Sequence, residues 1–321
     1  MRALVAGAAG MIGSHVAEAL LARGDEVVCV DDLSTGQESS LALLERLGAG
    51  TVLADVCEPL PRLGRFDAVL HLASPASPRH FELMGPEILR VGSEGTLRLL
   101  DLARADGARF LLASTSEVYG EPREHPQREA YRGNVSTTGP RACYDEAKRF
   151  AEAAASTYAR QFGAEVRIAR IFNTYGPRMR PDDGRVVTTL LVQGLLGRPF
   201  TVHGDGSQTR CFCYVDDQVR GLLALLDSDV RGPVNIGADE EHTIADLVVA
   251  VARVVGREVA VEHRPAPADD PTRRRPSLDR ARALLGWSPT VPLDVGLART
   301  AEWLRRELAD AEGAAPRALA R

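Results

Sequence analysis

The sequence predicts an α/β fold: a doubly wound parallel sheet followed by a smaller, mixed α/β region. Three observations predict it. Short apolar, β-branched runs alternate with stretches of helical periodicity through the first half of the chain. A glycine-rich turn, Gly7-Ala8-Ala9-Gly10-Met11-Ile12-Gly13, joins the first such run to the first helical stretch. Beyond residue 171 the alternation breaks up, with Pro and Gly punctuating 176–181, 183–184, 197–199 and 204–206.

The elements follow in order. Ala3–Ala6 reads as a strand and Ile12–Ala22 as a helix. Strands follow at Glu26–Val30, Thr51–Ala54, Ala68–Leu72 and Arg109–Ala113. Such continuous apolar runs suit a parallel sheet buried on both faces. A helix over Glu87–Ala105 separates the last two, and a long Ala-, Glu- and Arg-rich helix runs from about Pro140 to Gln161. Val166–Ile171 is the next strand. Later helices are expected at about Val187–Leu196, Val215–Leu226, Thr243–Val255 and Leu293–Ala309. The expected division is a nucleotide-binding domain over 1–171, with part of 209–237 returning to it, a substrate domain over 172–309, and a frayed tail over 310–321.

Composition narrows the function. The 321 residues are 45% apolar and 26% charged, ordinary for a soluble globular chain long enough for two domains. A net charge of −5 leaves no footprint for nucleic acid. No apolar run reaches the ~18 residues that span a bilayer. Five scattered cysteines suggest neither a disulfide framework nor a metal site, which predicts a cytosolic protein without a metal. Arg273-Arg274-Arg275, taken alone, reads as a solvated loop. Of the 39 basic residues only Lys148 is a lysine. The amine therefore stands where a guanidinium would not serve.

The glycine turn predicts a dinucleotide site. Gly7, Gly10 and Gly13 allow a tight turn, close approach of the backbone to a pyrophosphate and close helix–strand packing, while the helix N-terminus offers amides to phosphate. Asp31 ends the second strand, where a carboxylate accepts from ribose hydroxyls and repels a 2′-phosphate; the cofactor expected is NAD. Asp55, after the third strand, is placed to edge the adenine. Tyr144-Asp145-Glu146-Ala147-Lys148 sets a phenol and an amine one helical turn apart. A tyrosine whose pKa is lowered by a neighbouring lysine can take the proton of an alcohol as its hydride leaves. Upstream, Ser114-Thr115-Ser116-Glu117 closes the fifth strand, at the sheet end where ligands bind in such folds.

With these residues in hand, the chain resembles the extended short-chain dehydrogenase/reductase family that acts on nucleotide sugars. Within it, HLASPASP (71–78), GNVSTTGPRACYDEAKRFAE (133–152), RIFNTYGPRM (170–179), GDGSQTRCFCYVDD (204–217) and RRRPSLDRARALLGW (273–287) are similar to the UDP-glucuronate decarboxylase branch. The resemblance spans about residues 2–300 and implies a Rossmann-type fold. It makes Tyr144 the base, Lys148 its partner and Ser116 the hydroxyl that bridges to the sugar C4 oxygen. It sets Glu117 and Arg274 beside the sugar carboxylate, and Asn173, Arg185, Arg210 and Arg90 against the substrate. It adds Met11, Ile12, Asp32, Thr35, Gly36, Val56, Leu72 and Ser74 to the cofactor contacts. The implied partners are a UDP-sugar and, as a homodimer through helices 87–105 and 140–161, a second copy of the chain. A 4,6-dehydratase would carry an aspartate where Ser116 stands; serine is a poor acid, and loss of carbon dioxide from a β-keto acid needs none. Alternatives are a 4-epimerase, a decarboxylase that releases its 4-keto product, and a non-catalytic NAD-sensing protein. The chain departs from the family pattern at Gly92, which puts a local helix-to-strand hydrogen bond in doubt.

Overall fold

The computed structural model describes residues 1–265 and 273–318. The chain begins β1 (Arg2–Ala6), α1 (Met11–Ala22), β2 (Glu26–Asp31), α2 (Glu38–Arg46), β3 (Gly50–Leu53) and β4 (Ala68–His71). It continues α3 (Pro78–Phe81), α4 (Gly85–Arg90), α5 (Thr96–Asp106), β5 (Arg109–Thr115), α6 (Ala142–Phe162) and β6 (Val166–Ile171). The second half runs β7 (Thr174–Tyr175), α7 (Val186–Leu195), β8 (Phe200–His203), β9 (Thr209–Arg210), β10 (Cys213–Tyr214), α8 (Val215–Asp227) and β11 (Pro233–Ile236). It ends β12 (His242–Thr243), α9 (Ile244–Val255), β13 (Val261–Arg264), β14 (Arg273–Arg274), α10 (Asp279–Leu285) and α11 (Leu293–Ala318). Residues 319–321, the end of the expected tail, lie outside the described residues, and α11 continues past residue 309.

Seven strands form one parallel sheet in the order β11-β6-β5-β4-β1-β2-β3. Both faces are covered, as the apolar runs require. Ala3 and Val5 of β1 face one cluster with Val16 and Leu20 of α1 and Leu222 and Leu225 of α8. Leu4 and Ala6 face the other, with Leu99 and Leu100 of α5 and Ala151 and Ala155 of α6. Each leucine so buried contributes roughly 1.5–3 kcal/mol. The strand order reverses between β1 and β4, which opens a crevice at their carboxyl ends. The chain returns to this sheet late: β11 pairs with β6, from Pro233 opposite Ile168 to Ile236 opposite Ile171.

The remaining elements build the wall over that crevice. β9 pairs antiparallel with β12 and parallel with β14, so Arg210 and Arg274 stand side by side in register. Of the basic triplet, Arg273 is exposed and Arg274 buried, so the stretch is not a solvated loop throughout. Helix α9 starts from a capping box in which Thr243 accepts from the Asp246 amide at 3.0 Å.

The helix expected over 87–105 is interrupted. A π-helical turn, Val91–Gly95, lies between α4 and α5. Here Gly92 meets α6: a Cβ on it would stand 2.6 Å from the Ala147 Cβ. The departure at Gly92 thus lets this turn approach the helix that carries Tyr144 and Lys148, against a small residue.

Candidate active site

Two adjoining hollows lie at the carboxyl ends of the strands. The first is lined by Gly7, Gly10, Asp31, Asp32, Thr35, Gly36, Asp55, Val56, Leu72 and Ser74, among others. The second, of about 460 Å³, is lined by Ile12, Leu72 and Ser74 on the side of the first, and further in by Ser116, Glu117, Tyr144, Lys148, Asn173, Arg185, Arg210 and Arg274. That volume suits a small organic ligand.

The first hollow is a cradle that side chains would fill. Gly7 has φ +82°, and a Cβ there would stand 2.5 Å from the Ala73 amide nitrogen. A Cβ on Gly13 would run into the Gly7 carbonyl oxygen. Gly13 and Met11 therefore shape the turn from behind and line neither hollow. The Asp31 carboxylate accepts from the Ala9 and Leu33 amides, each at 2.9 Å. Burial nevertheless raises its pKa, with these two bonds pulling the other way. Arg178, which the sequence did not single out, ties the cradle to the substrate side. Its carbonyl accepts from Gln37 at 2.7 Å and its guanidinium pairs with Glu18 of α1. Its Nη1 is buried without a partner among the described residues, a spare donor beside the turn. Glycine cradle, buried carboxylate at the end of β2 and spare N–H donor fit a dinucleotide.

In the second hollow α6 supplies the phenol and the amine. The Lys148 Nζ donates to the Ala113 carbonyl at 2.9 Å and lies 5.8 Å from the Tyr144 ring centroid. Burial pushes Lys148 down to about 8. Burial also pushes Tyr144 up to about 12, with the nearby Thr115 hydroxyl pulling the other way. Burial is the largest influence on the phenol, and Arg185 joins Thr115 in opposing it. The hydroxyls of Thr115 and Ser116 both line the cavity beside Tyr144. The Tyr144 ring is fixed by Phe81, stacked at 5.0 Å and 17° from parallel.

A second group of charges sits beside this one. Arg274 Nη1 and Nη2 donate to the two oxygens of Glu117 at 2.5 and 2.8 Å. Arg141 Nη2 donates to Oε2 at 2.5 Å, and its guanidinium lies over Phe81 at 5.4 Å. Burial alone would raise the Glu117 pKa; Arg274 and Arg141 outweigh it and hold the carboxylate below its usual range. Arg141 and Phe81 are among the cavity residues that the sequence did not single out, and Thr115 stood out only as part of its run. Arg185, paired with Asp183 at 3.2 Å, and Arg210 add cations to the wall. Arg90 does not come to the cavity: it lies on the outer side of α4, paired with Glu58 at 3.0 Å and Glu94 at 3.3 Å, because two surface carboxylates hold its long side chain there. No cluster of metal-ligating residues occurs among the described residues. Nor is any described helix long and apolar enough to cross a membrane.

Together, fold and site define a dinucleotide-dependent enzyme of the doubly wound α/β class. The chain belongs to the NAD dependent epimerase/dehydratase family, which matches residues 3–237, and its cofactor is NAD. Among curated relatives, UDP-glucuronic acid decarboxylase 1 of Arabidopsis thaliana is 46% identical over 315 residues, 98% of this chain and 72% of that protein. UDP-glucuronic acid decarboxylase 1 of Danio rerio is 46% identical over 308 residues, 96% of this chain and 73% of that protein. Among solved structures, UDP-glucuronic acid 4-epimerase from Bacillus cereus, in complex with UDP-glucuronic acid and NAD, superposes with a TM-score of 0.86 at 29% identity over 95% of this chain and 99% of that one.

Proposed function

We propose that the protein decarboxylates UDP-glucuronate to UDP-xylose through a 4-keto intermediate. The observation that carries this reading is the placing of Glu117, Arg274 and Arg141 in one cavity with Thr115, Tyr144 and Lys148. A guanidinium pair suits a sugar carboxylate, and the phenol–amine pair suits the neighbouring secondary alcohol. The 46% identity with decarboxylases, against 29% with the epimerase, favours carbon dioxide loss over epimerisation.

NAD, when bound, would supply a hydride acceptor for C4 and a donor for its return. Gly7, Gly10 and the start of α1 would hold its pyrophosphate, Arg178 would offer a further donor, and Asp31 would hold the adenosine ribose. Tyr144 takes the C4 hydroxyl proton. Thr115, beside the phenol, and Ser116 offer hydroxyls to the reacting oxygen, and the Lys148 charge favours the phenolate. Arg274 and Arg141 keep the C6 carboxylate beside Glu117. Once C4 is a ketone, C6 is a β-keto carboxylate, and carbon dioxide leaves without an acid. Ser116, which cannot protonate a leaving hydroxyl at neutral pH, fits that outcome. The C5 enolate takes a proton from solvent, and Tyr144 returns its proton to the C4 oxygen. Asn173, Arg185 and Arg210 hold the nucleotide diphosphate.

The sheet with α8 and β11 forms the cofactor domain in this reading, and the rest forms the substrate domain. A homodimer through α4 and α6 is supported by Leu89 and Phe150, exposed apolar residues on these two helices. The free cysteines, four of the five buried, suit the reducing cytosol. The test of function is to incubate the purified protein with UDP-glucuronate and no added NAD. The expected product is a UDP-pentose by mass spectrometry; a UDP-hexuronate isomer would instead favour epimerisation.

A further inference from the structure

The Arg274–Glu117 pair joins two segments that are far apart in the chain, and one buried amide is bonded to both of them. Asn235, on β11, is fully buried. Its Oδ1 accepts from the Tyr119 hydroxyl at 2.7 Å. Its Nδ2 donates to the carbonyls of Gln127 at 2.9 Å and Ser277 at 3.1 Å. Turned the other way, the amide would set its oxygen against two carbonyls, so these contacts fix its orientation. A carboxylate has no donor for the carbonyls, and a hydroxyl has only one.

The contacts lead to the two halves of the ion pair. Tyr119 ends the turn Ser116–Tyr119, which carries Glu117. Its hydroxyl also accepts from Arg170 at 2.9 Å, and Arg170 pairs with Glu152 of α6 at 2.7 Å. The turn is thereby tied to the sheet and to the helix of Tyr144 and Lys148. On the other side, Ser277 lies three residues past Arg274. Gln127, itself buried, brackets Arg275: its amide donates to the Arg275 carbonyl and its Oε1 accepts from the Arg275 amide, each at 2.8 Å. Strand β14 is two residues long and pairs with β9 over Arg273 and Arg274. Two rungs are fewer than an ordinary strand has. Asn235 and Gln127 extend that hold past Arg274.

Asn235 does not line the cavity, and the mechanism above gives it no step. We propose that Asn235 is a positioning residue for uronate recognition: by clamping the Glu117 turn and the segment after Arg274 to β11, it sets the place of the Arg274 guanidinium beside the sugar carboxylate. The proposal rests on the uronate reading above and names a residue outside the cavity that specifies it. Forked recognition of a carboxylate tolerates little displacement of the guanidinium, whereas the nucleotide diphosphate is held by other residues. Loss of the amide is therefore felt by a uronate and not by a neutral hexose.

The test is calorimetric binding to the NAD-loaded protein carrying Tyr144→Phe, which keeps substrate from turning over. UDP-glucuronate and UDP-glucose are titrated separately, with and without Asn235→Ala. Uronate affinity is expected to fall about tenfold, the net effect of one lost hydrogen bond, while UDP-glucose affinity and NAD content stay the same. A structural role alone would not separate the two sugars. On an Arg274→Lys background, Asn235→Ala is expected to cost little further uronate affinity, because it acts through Arg274. Where Asn235→Ala does not fold, Gln127→Met, which removes the acceptor of the Arg275 amide, carries the same expectations. Equal losses for both sugars, an unchanged uronate affinity, or a full further loss on the Arg274→Lys background overturns the proposal and leaves the substrate reading standing. Equal affinity for the two sugars without Asn235→Ala overturns the substrate reading and the proposal with it.

Discussion

Arg274 grips Glu117 with both terminal nitrogens, Nη1 to Oε1 at 2.5 Å and Nη2 to Oε2 at 2.8 Å, inside the protein. The pair lines the cavity and joins β14 to the turn after β5. Its forked geometry cannot be reproduced by an ammonium group. Arg274→Lys is therefore expected to lower UDP-glucuronate affinity roughly ten- to hundredfold, the value of a charge-assisted contact of ~1.5–3 kcal/mol. UDP-glucose affinity, measured beside it, should change little. Equal losses for both nucleotide sugars would place Arg274 in the architecture alone.

The Thr115 hydroxyl lowers the Tyr144 pKa and lines the cavity next to Ser116. Thr115→Val keeps the shape and removes the hydroxyl. Steady-state kinetics should show kcat lowered by about 10², as for loss of one oriented donor at a reacting oxygen. Ser116→Ala should cost less at the oxidation step. The reverse ranking would return the bridging role to Ser116.

Tyr144→Phe should fold, bind NAD and lose about 10²–10⁴ in the rate of sugar oxidation, the usual contribution of a positioned base. Lys148→Arg should be crippled as well although it keeps the charge. Its buried Nζ donates to the Ala113 carbonyl at 2.9 Å, a point contact that a planar guanidinium on a different stem would not reproduce. A Lys148→Arg enzyme turning over at the normal rate would show that the lone lysine is coincidental.

Much of this was legible in the sequence for a physical reason. Strands buried on both faces are apolar, so β1, β2 and β4 stand out, and Val166–Ile171 is placed to the residue although it carries Arg167 and Arg170. The glycine turn and Asp31 announce themselves because local spacing alone defines their job. The four-residue strand β11, the helix α2 and the π turn at Val91–Gly95 did not stand out. The first is too short to show a period, and the last adds a residue without disturbing the apolar pattern. In the Ser114-Thr115-Ser116 run the deciding fact is strand parity. Ser114 turns to Glu152 at 2.5 Å while Thr115, on the opposite face of β5, turns to Tyr144. Had β5 been extended to residue 115, the choice could have been made. Arg141 and Arg90 depend on contacts that only the folded chain creates: Arg141 is drawn inward by Glu117 and Arg90 outward by Glu58 and Glu94.

Cofactor choice rests on Asp31, a buried carboxylate already held by two backbone amides. A 2′-phosphate would meet it with little water between them. Calorimetry on protein stripped of cofactor should show NAD bound far more tightly than NADP. Comparable affinities would overturn the role given to Asp31.

The most direct measurement follows one label through one turnover. UDP-glucuronate deuterated at C4 is given to the purified protein in ordinary water, and the product is analysed by mass spectrometry and NMR. If Tyr144 and Lys148 run an internal redox cycle beside the Arg274–Glu117 subsite, the product is a UDP-pentose with its deuterium still at C4, and carbon dioxide is released from C6. A product that keeps all six sugar carbons contradicts the account.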